Sequence, residues 1–140
     1  MKIYTIRPGA RDNVNADLIR VGRERAYKAG AILQKLGLGE ETPLFSSPKQ
    51  GALQTAEVVK EVCGFQGIAI VGWLDAVYLG DFLKEMFPLL KGMESPAAIF
   101  VGHSPHFEAL LQAYFSDEIS VEDGDVYEID LDDRTAMKLS

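Results

Sequence analysis

Three short polar stretches of the sequence carry groups that could hold an anion, and each directly follows an apolar, strand-like run. They are Arg7-Pro8-Gly9, Ser46-Ser47 and His103-Ser104. A guanidinium, an imidazole and hydroxyl groups are side-chain donors suited to phosphate oxygens. The three stretches therefore predict a phosphate-shaped site, provided that the fold brings the three strand ends together.

Two of these stretches also have the pattern of a helix start. SSPKQGAL (46–53) and HSPHFEAL (103–110) share Ser-Pro-x-x-x-Ala-Leu. Ser47 and Ser104 are suited to the N-cap, and Pro48 and Pro105 to the first helical position, where a missing N–H costs nothing. Helix amino termini favour anions because they present unpaired N–H groups and the positive end of the helix dipole.

Strand and helix patterns alternate along the chain and supply the frame for this site. Strands are predicted at 2–7, 44–46, 68–73 and 97–101, with a terminal pair at 126–131 and 135–139. Helices are predicted from 17 or 19 to 36, and at 48–62, 78–90 and 105–115. Gly37 and Gly64 are expected to end the first two helices, and Pro88 to bend or end the third.

This alternation predicts an α/β fold with three layers, α/β/α, around a mostly parallel mixed sheet. Residues 1–140 are expected to form a single domain, since 140 residues with 47% hydrophobic content suit one core. Parallel strands place their carboxyl ends at one edge of a sheet, where ligands of open α/β sheets bind. The three polar stretches would then meet at that edge.

Charge excludes one class of function. The formal net charge is −7, whereas a nucleic-acid-binding surface needs clustered Lys and Arg, so no nucleic-acid partner is expected. Nine acids and no Lys or Arg fall within 117–133. This acidic stretch is interpreted as a solvated edge, with a repelling wall or a partner surface as the alternative.

The chain is expected to be soluble and cytoplasmic, with no membrane partner. Its first residues lack the pattern of a signal peptide, and its longest weakly polar run, 65–74, is half of the ~20 residues that span a bilayer. The single cysteine, Cys63, allows no internal disulfide and no cysteine-built metal site, which points to a reducing compartment. It is interpreted as a buried thiol in a helix. Neither a metal nor a cofactor is expected.

The same stretches resemble the histidine phosphatase superfamily, whose fold is phosphoglycerate mutase-like, and within it the small bacterial phosphohistidine phosphatases. YTIRPG (4–9) stands where the family has Arg-His-Gly after its first strand, and VGHSP (101–105) is similar to Val-Gly-His-Asn-Pro. SSPKQGALQTA (46–56) is similar to Ser-Ser-Pro-x-x-Arg-Ala-x-Gln-Thr-Ala, and LIRVGRERA (18–26) to the family's first helix entry. The resemblance covers nearly the whole chain, with four motifs in family order.

This resemblance implies that Arg7 is a phosphate ligand and that His103 is the second pocket histidine. The family's nucleophilic histidine falls at Pro8, and its second phosphate arginine falls at Gly51. The family's acid has no clear match, and Asp75, its one candidate, is also interpreted as an ordinary loop residue.

Four further side chains lie within or next to these motifs. Lys49 or Gln50 could stand in for the missing arginine. Arg11 and His106 could lean towards the ligand, although exposed positions are the alternative expected for both.

Two classes of function follow from these replacements. The first is a non-catalytic, phosphatase-like domain that holds phosphate through Arg7, Arg11, Ser47, His103 and Ser104 for a phosphorylated small molecule or protein. The second is a weak or atypical phosphatase, acting on phosphohistidine or a small phosphoester, that uses His103 or a relocated nucleophile. A structural interaction module with a dead pocket is a third possibility.

Overall fold

Strands and helices alternate along the chain. In the computed structural model of the protein, the described residues are 1–8, 20–75, 79–103, 106–112 and 120–140, and at 79–83 the description is of the backbone alone. The strands are β1 (Lys2–Ile6), β2 (Leu44–Ser46), β3 (Ala69–Ile70), β4 (Ala97–Val101), β5 (Val126–Asp130) and β6 (Thr135–Lys138). The helices are α1 (Arg20–Lys35), α2 (Gln50–Cys63), α3 (Leu79–Lys91) and α4 (His106–Gln112). A short 3-10 helix, Gly72–Asp75, lies between β3 and α3.

The six strands form one mixed sheet in the order β3-β2-β4-β1-β5-β6. β1 pairs in parallel with β4 and antiparallel with β5, while β2 is parallel to both β3 and β4. The hairpin of β5 and β6 closes one side of the sheet. The predicted mostly parallel mixed sheet is confirmed, and four strands end at the same edge.

Helices cover both faces of the sheet. Alternate side chains of β4 face opposite sides, because successive residues of a strand point in opposite directions. One core joins Ala98 and Phe100 to residues of α3 and α4, namely Met86, Leu90, Phe107, Leu110 and Leu111. The other joins Ile99 and Val101 to residues of α1 and α2, namely Ala29, Leu33, Ala52, Ala56 and Val59. The three-layer architecture is therefore confirmed.

The predicted strand at 68–73 is wrong in length. β3 contains only Ala69 and Ile70, both exposed, and the chain then turns into the 3-10 helix. Its partner β2 offers only three residues, and β3 lies at the edge of the sheet, so no further ladder is available to extend it.

Pro88 does not end α3, which continues to Lys91. A proline removes the N–H that would bond the carbonyl four residues earlier, here that of Lys84. Lys84 and Pro88 are both exposed, so water can take the place of that hydrogen bond. The helix therefore tolerates the proline on its solvent side.

Glycines end the first two helices as predicted. Gly37 and Gly64 have φ of 70° and 73°, in the left-handed region that favours glycine. Cys63, the last residue of α2, is half-buried with its Sγ 3.2 Å from the Gly30 carbonyl oxygen, and burial raises the pKa of its thiol. Within the described ranges, no helix has the length and apolar character needed to cross a bilayer.

Candidate anion-binding site

The ends of β1, β4 and β2 are side by side at the carboxyl edge of the sheet. Ile6 and Ser46 both pair with Val101 of the central strand. Beyond the strands, the Gly102 N–H donates to the Ile6 carbonyl at 3.1 Å, and the Ser47 N–H donates to the Val101 carbonyl at 3.0 Å. The backbone at Arg7, Ser47 and His103 is thus assembled at one edge, as the parallel topology requires.

His103 and Ser47 are in direct contact. The His103 Nε2 and Ser47 Oγ atoms lie 2.9 Å apart, and Ser47 is fully buried. Ser47 Oγ also accepts a hydrogen bond of 3.2 Å from the Lys49 N–H. The Ser47 hydroxyl therefore contacts both the His103 imidazole and the backbone that leads into α2. These contacts fix the position of the ring at the end of β4.

The predicted start of α2 is wrong by two residues. The helix begins at Gln50 with Lys49 as its N-cap, and Lys49 makes no side-chain cap hydrogen bond. Ser47 is not the N-cap because the backbone of Lys49 is extended, with φ of −65° and ψ of 142°, so the helix cannot run from Pro48. Pro48 consequently precedes the helix instead of opening it.

Arg7 is bound at both its backbone and its side chain to the turn before β5. Its guanidinium donates through Nη1 to the Val121 carbonyl, and its Nε lies 3.3 Å from the Asp123 carboxylate. The Arg7 N–H donates to the Asp125 carbonyl at 3.2 Å, and the Gly124 N–H donates to the Arg7 carbonyl at 2.9 Å. The guanidinium that was predicted to bind phosphate is therefore paired with an internal carboxylate.

A second ion pair lies beyond β2 and β3. Lys49 Nζ is 3.2 Å from Asp75 Oδ1, and Asp75 is the last residue of the 3-10 helix. The Val71 N–H donates to the Ser46 carbonyl at 2.9 Å and holds this segment against the end of β2. The candidate acid and the candidate substitute for the missing arginine are thus bonded to each other.

The remaining predicted site residues divide into three groups. Ser104 and Arg11 lie outside the described residues, as does the start of α4 at Pro105. Pro8 and Gly51 are both buried, Gly51 as the second residue of α2. His106 was expected to be exposed if it did not reach the pocket. That expectation is wrong, because the ring is only 5% exposed and lies at the start of α4.

Asp123 is the site residue that sequence reasoning missed. The acidic stretch 117–133 was interpreted as a solvated edge, and Asp132 and Asp133 are indeed exposed. Asp125, however, is buried and pairs with Lys138 at 3.5 Å, and Asp123 reaches Arg7. The available signal was the cluster of basic residues near the amino terminus, which is opposite in charge to this stretch: Arg7, Arg11, Arg20, Arg23, Arg25 and Lys28. In the described part of the chain, no three His, Cys, Asp or Glu side chains form a group that could hold a metal ion.

The similarity of this chain to known proteins lies in its fold. No family model and no curated sequence matches the chain. Its structure is similar to that of the protein histidine phosphatase SixA complexed with tungstate, with a TM-score of 0.81 at 14% identity over 99% of this chain and 94% of that one. It is also similar to a mycobacterial glucosyl-3-phosphoglycerate phosphatase complexed with VO3, with a TM-score of 0.69 at 15% identity over 98% and 96% of the two chains.

These similarities define the fold as phosphoglycerate mutase-like, the fold of the histidine phosphatase superfamily. The resemblance inferred from the four sequence motifs is thus confirmed at the level of architecture.

Proposed function

We propose that this chain is a non-catalytic histidine phosphatase-like domain that retains a phosphate pocket at the carboxyl edge of its sheet. The observation that carries the proposal is the convergence of Arg7 and His103 on neighbouring strand ends, with buried Ser47 holding His103 and with proline next to the arginine. Support comes from the similar SixA structure, which is complexed with tungstate, a tetrahedral oxyanion like phosphate.

The pocket lacks two groups that phosphoryl transfer through a histidine requires. Pro8 has no nucleophilic atom, so the covalent intermediate that splits the reaction into two easier steps cannot form there. Gly51 has no side chain, so the positive charge that would stabilise the equatorial oxygens in the transition state is missing at that position. Binding of an anion requires neither a nucleophile nor stabilisation of a transition state. A guanidinium together with an imidazole can therefore still hold an anion.

The proposed ligand is phosphate, either free or as part of a phosphorylated small molecule or protein. Binding is expected to be weak, because the chain carries a formal net charge of −7 and Asp123 already pairs with Arg7. It is expected to weaken further as salt screens the attraction. Nucleic acid and membranes are not proposed as partners, and a cytoplasmic location stays a prediction.

A weak or atypical phosphatase is the second candidate, and the half-buried position of His103 at the strand ends favours it. A hydroxyl at 2.9 Å from an imidazole is the arrangement of an activated nucleophile and its base. Ser47 is fully buried, however, so a substrate phosphorus atom has no approach to its hydroxyl. In this candidate, His103 itself attacks phosphorus or takes a proton from water.

Phosphate titration and hydrolysis of an aryl phosphate distinguish the two candidates. We expect the wild type to bind phosphate, and Arg7→Ala to weaken binding about ten-fold or more because a charge-assisted contact is lost. Arg20→Ala is the matched control, since Arg20 is highly exposed and pairs only with Glu24 one helical turn away among the described residues.

Turnover decides between the candidates. No hydrolysis is expected in either the wild type or His103→Ala. Hydrolysis at about 1 s⁻¹ or faster that is lost in His103→Ala would establish the phosphatase instead. Equal phosphate binding by Arg7→Ala and the wild type would show that the pocket is not at Arg7.

A further inference from the structure

Asp123 occupies the position on Arg7 that an anionic ligand would need. Its Oδ1 is 3.3 Å from Arg7 Nε, while Nη1 of the same guanidinium donates to the Val121 carbonyl. A phosphate that binds Arg7 side-on, through the Nε–H and a neighbouring Nη N–H, must displace the Asp123 carboxylate from Nε. The carboxylate therefore competes directly with the ligand.

The ion pair between Arg7 and Asp123 is exposed enough to water for a ligand to separate the two side chains. The side chains of Arg7 and Asp123 are 32% and 44% exposed. Ion pairs in contact with water contribute little to stability, so a dianion can displace such a carboxylate.

Other cations lie beside Asp123 and offer its carboxylate an alternative position. It lines a cavity of about 190 Å³ together with Arg25, Lys28 and Lys138. Lys138 already pairs with Asp125, but Arg25 and Lys28 have no carboxylate within 4 Å among the described residues. A carboxylate that leaves Arg7 thus finds two other cations beside the same turn.

The backbone of the turn limits the movement to the side chain. Gly124 and Asp125 are hydrogen-bonded to the Arg7 backbone, and Gly124 has a φ of 82° with the stem of Arg25 packed against it. A Cβ on Gly124 would lie 2.9 Å from Arg25 Cδ, so this position has no room for a side chain. The turn stays attached to Arg7 whether or not the carboxylate does.

We propose that Asp123 is a built-in counter-anion of the phosphate pocket: it holds Arg7 when the pocket is empty and turns towards Arg25 and Lys28 when phosphate binds. This inference rests on the proposed function, because it requires Arg7 to be the phosphate ligand. Asp123 thereby keeps the guanidinium oriented and lowers the affinity of the pocket, so that the ligand is released readily.

Phosphate titrations of Asp123→Asn and Glu122→Gln test this inference. Asparagine keeps the shape and can still accept a hydrogen bond from Arg7, but it removes the competing charge. We expect Asp123→Asn to bind phosphate about three- to five-fold more tightly than the wild type, because the charge that competes for Arg7 is removed while an exposed ion pair is weak. Glu122 is exposed and belongs to the same turn, so Glu122→Gln removes an equal charge without touching Arg7. It should tighten binding by less than about two-fold.

The outcomes separate the inference from the proposed function. The inference is overturned if the affinity for phosphate rises equally in the two variants, or if it does not rise in Asp123→Asn. In either case, phosphate binding that depends on Arg7 still supports the proposed function. Absence of phosphate binding in every variant overturns both. If Asp123→Asn binds phosphate more tightly than the wild type and Glu122→Gln does not, the result supports both the inference and the proposed function.

Carboxyl ¹³C chemical shifts of the wild type give an independent measurement. The Asp123 signal should move on saturation with phosphate, and the Asp132 signal, at the opposite edge of the sheet beside the terminal amine, should not. An unmoved Asp123 signal in phosphate-saturated protein overturns the inference even if a variant fails to fold.

Discussion

Pro8 and Gly51 are the two positions at which the sequence resemblance predicts that a nucleophilic histidine and a phosphate arginine are replaced. Pro8→His should restore a nucleophile and Gly51→Arg should strengthen phosphate binding, each without turnover. The double variant should form phosphohistidine and hydrolyse an aryl phosphate at a measurable rate, because nucleophile and charge stabilisation return together. Radiolabelled phosphate retained at residue 8 is the measurement.

The two single variants are the controls for this reversal. Both positions are buried, so folding of each variant must be checked by circular dichroism. A folded double variant that binds phosphate and never labels at residue 8 would show that the turn after Arg7 has adapted to the fixed φ of proline.

Residues of the site differ in how far their sequence context could predict them. Arg7, Ser47 and His103 each follow an apolar strand directly, so the topology of a parallel sheet determines where they lie. The partner of Arg7 could not be predicted in this way. Asp123 reaches it because the turn at 121–125 bonds back to the Arg7 backbone, and that contact depends on tertiary structure.

Tyr4 makes the stability of the fold sensitive to alkaline pH. Burial, followed by a hydrogen bond and repulsion from Glu128, raises the pKa of its hydroxyl well above the usual 10.0. Above pH 10 the unfolded chain therefore ionises Tyr4 while the folded chain does not, and the free energy of unfolding falls. Between pH 10 and 11 the wild type should lose about 1 kcal/mol more stability than Tyr4→Phe.

Urea unfolding at pH 9, 10 and 11 measures this difference. Tyr27→Phe is the matched control, because Tyr27 is 54% exposed on α1 and its hydroxyl meets water in both states. If Tyr4→Phe and Tyr27→Phe lose stability in parallel with the wild type, the hydroxyl of Tyr4 is not the group responsible.

At the scale of elements, the end of α2 depends on one backbone conformation. Gly64 has a φ of 73° and its N–H donates to the Lys60 carbonyl at 2.8 Å. Gly64→Ala should lower the free energy of unfolding by about 1 kcal/mol, because an L side chain is strained in the left-handed region. Space is not the reason, since nothing lies within 4 Å of the added Cβ.

Gly67→Ala provides the comparison for this prediction. Gly67 also has open space around its Cβ position, but its φ is outside the left-handed region. Its replacement should change stability by less than about 0.5 kcal/mol in the same urea titration. Equal effects at the two positions would contradict the explanation from backbone strain.

The bounds of a strand or helix could be predicted from the sequence where its local pattern agrees with its tertiary surroundings. β2 and β4 have the predicted bounds, and β4 does so because a continuous apolar run of that length fits a fully buried strand. β3 is shorter than predicted because an edge strand can extend only as far as its partner. α3 passes through Pro88 because solvent compensates the lost hydrogen bond there, which a local pattern does not reveal.

At the scale of the whole molecule, Phe100 is central to one of the two cores. It is fully buried in β4, and its ring stacks on that of Phe45 with centroids 5.1 Å apart. The Trp73 ring lies tilted beside it, with centroids 5.9 Å apart. Phe100→Ala should lower the free energy of unfolding by about 3–5 kcal/mol through lost contacts and the cavity left behind. Phe100→Leu should cost clearly less, since it leaves a smaller cavity.

Phe87→Ala is the control for the same deletion on the surface. Phe87 is 42% exposed on α3, so its removal should cost about 1 kcal/mol or less. Urea unfolding monitored by circular dichroism gives all three values. Similar losses for Phe100→Ala and Phe87→Ala would contradict the placement of the core.

The position of β1 in the sheet also governs how the protein can fold as it is synthesised. β1 is made first, yet its two neighbours, β4 and β5, begin about 90 and about 120 residues later. At ribosomal rates of about 5–20 residues per second, β1 waits roughly 5–20 s for its first partner. During that time its apolar side chains and unpaired backbone are open to chaperones and to other nascent chains, so strand assembly must follow translation of most of the chain.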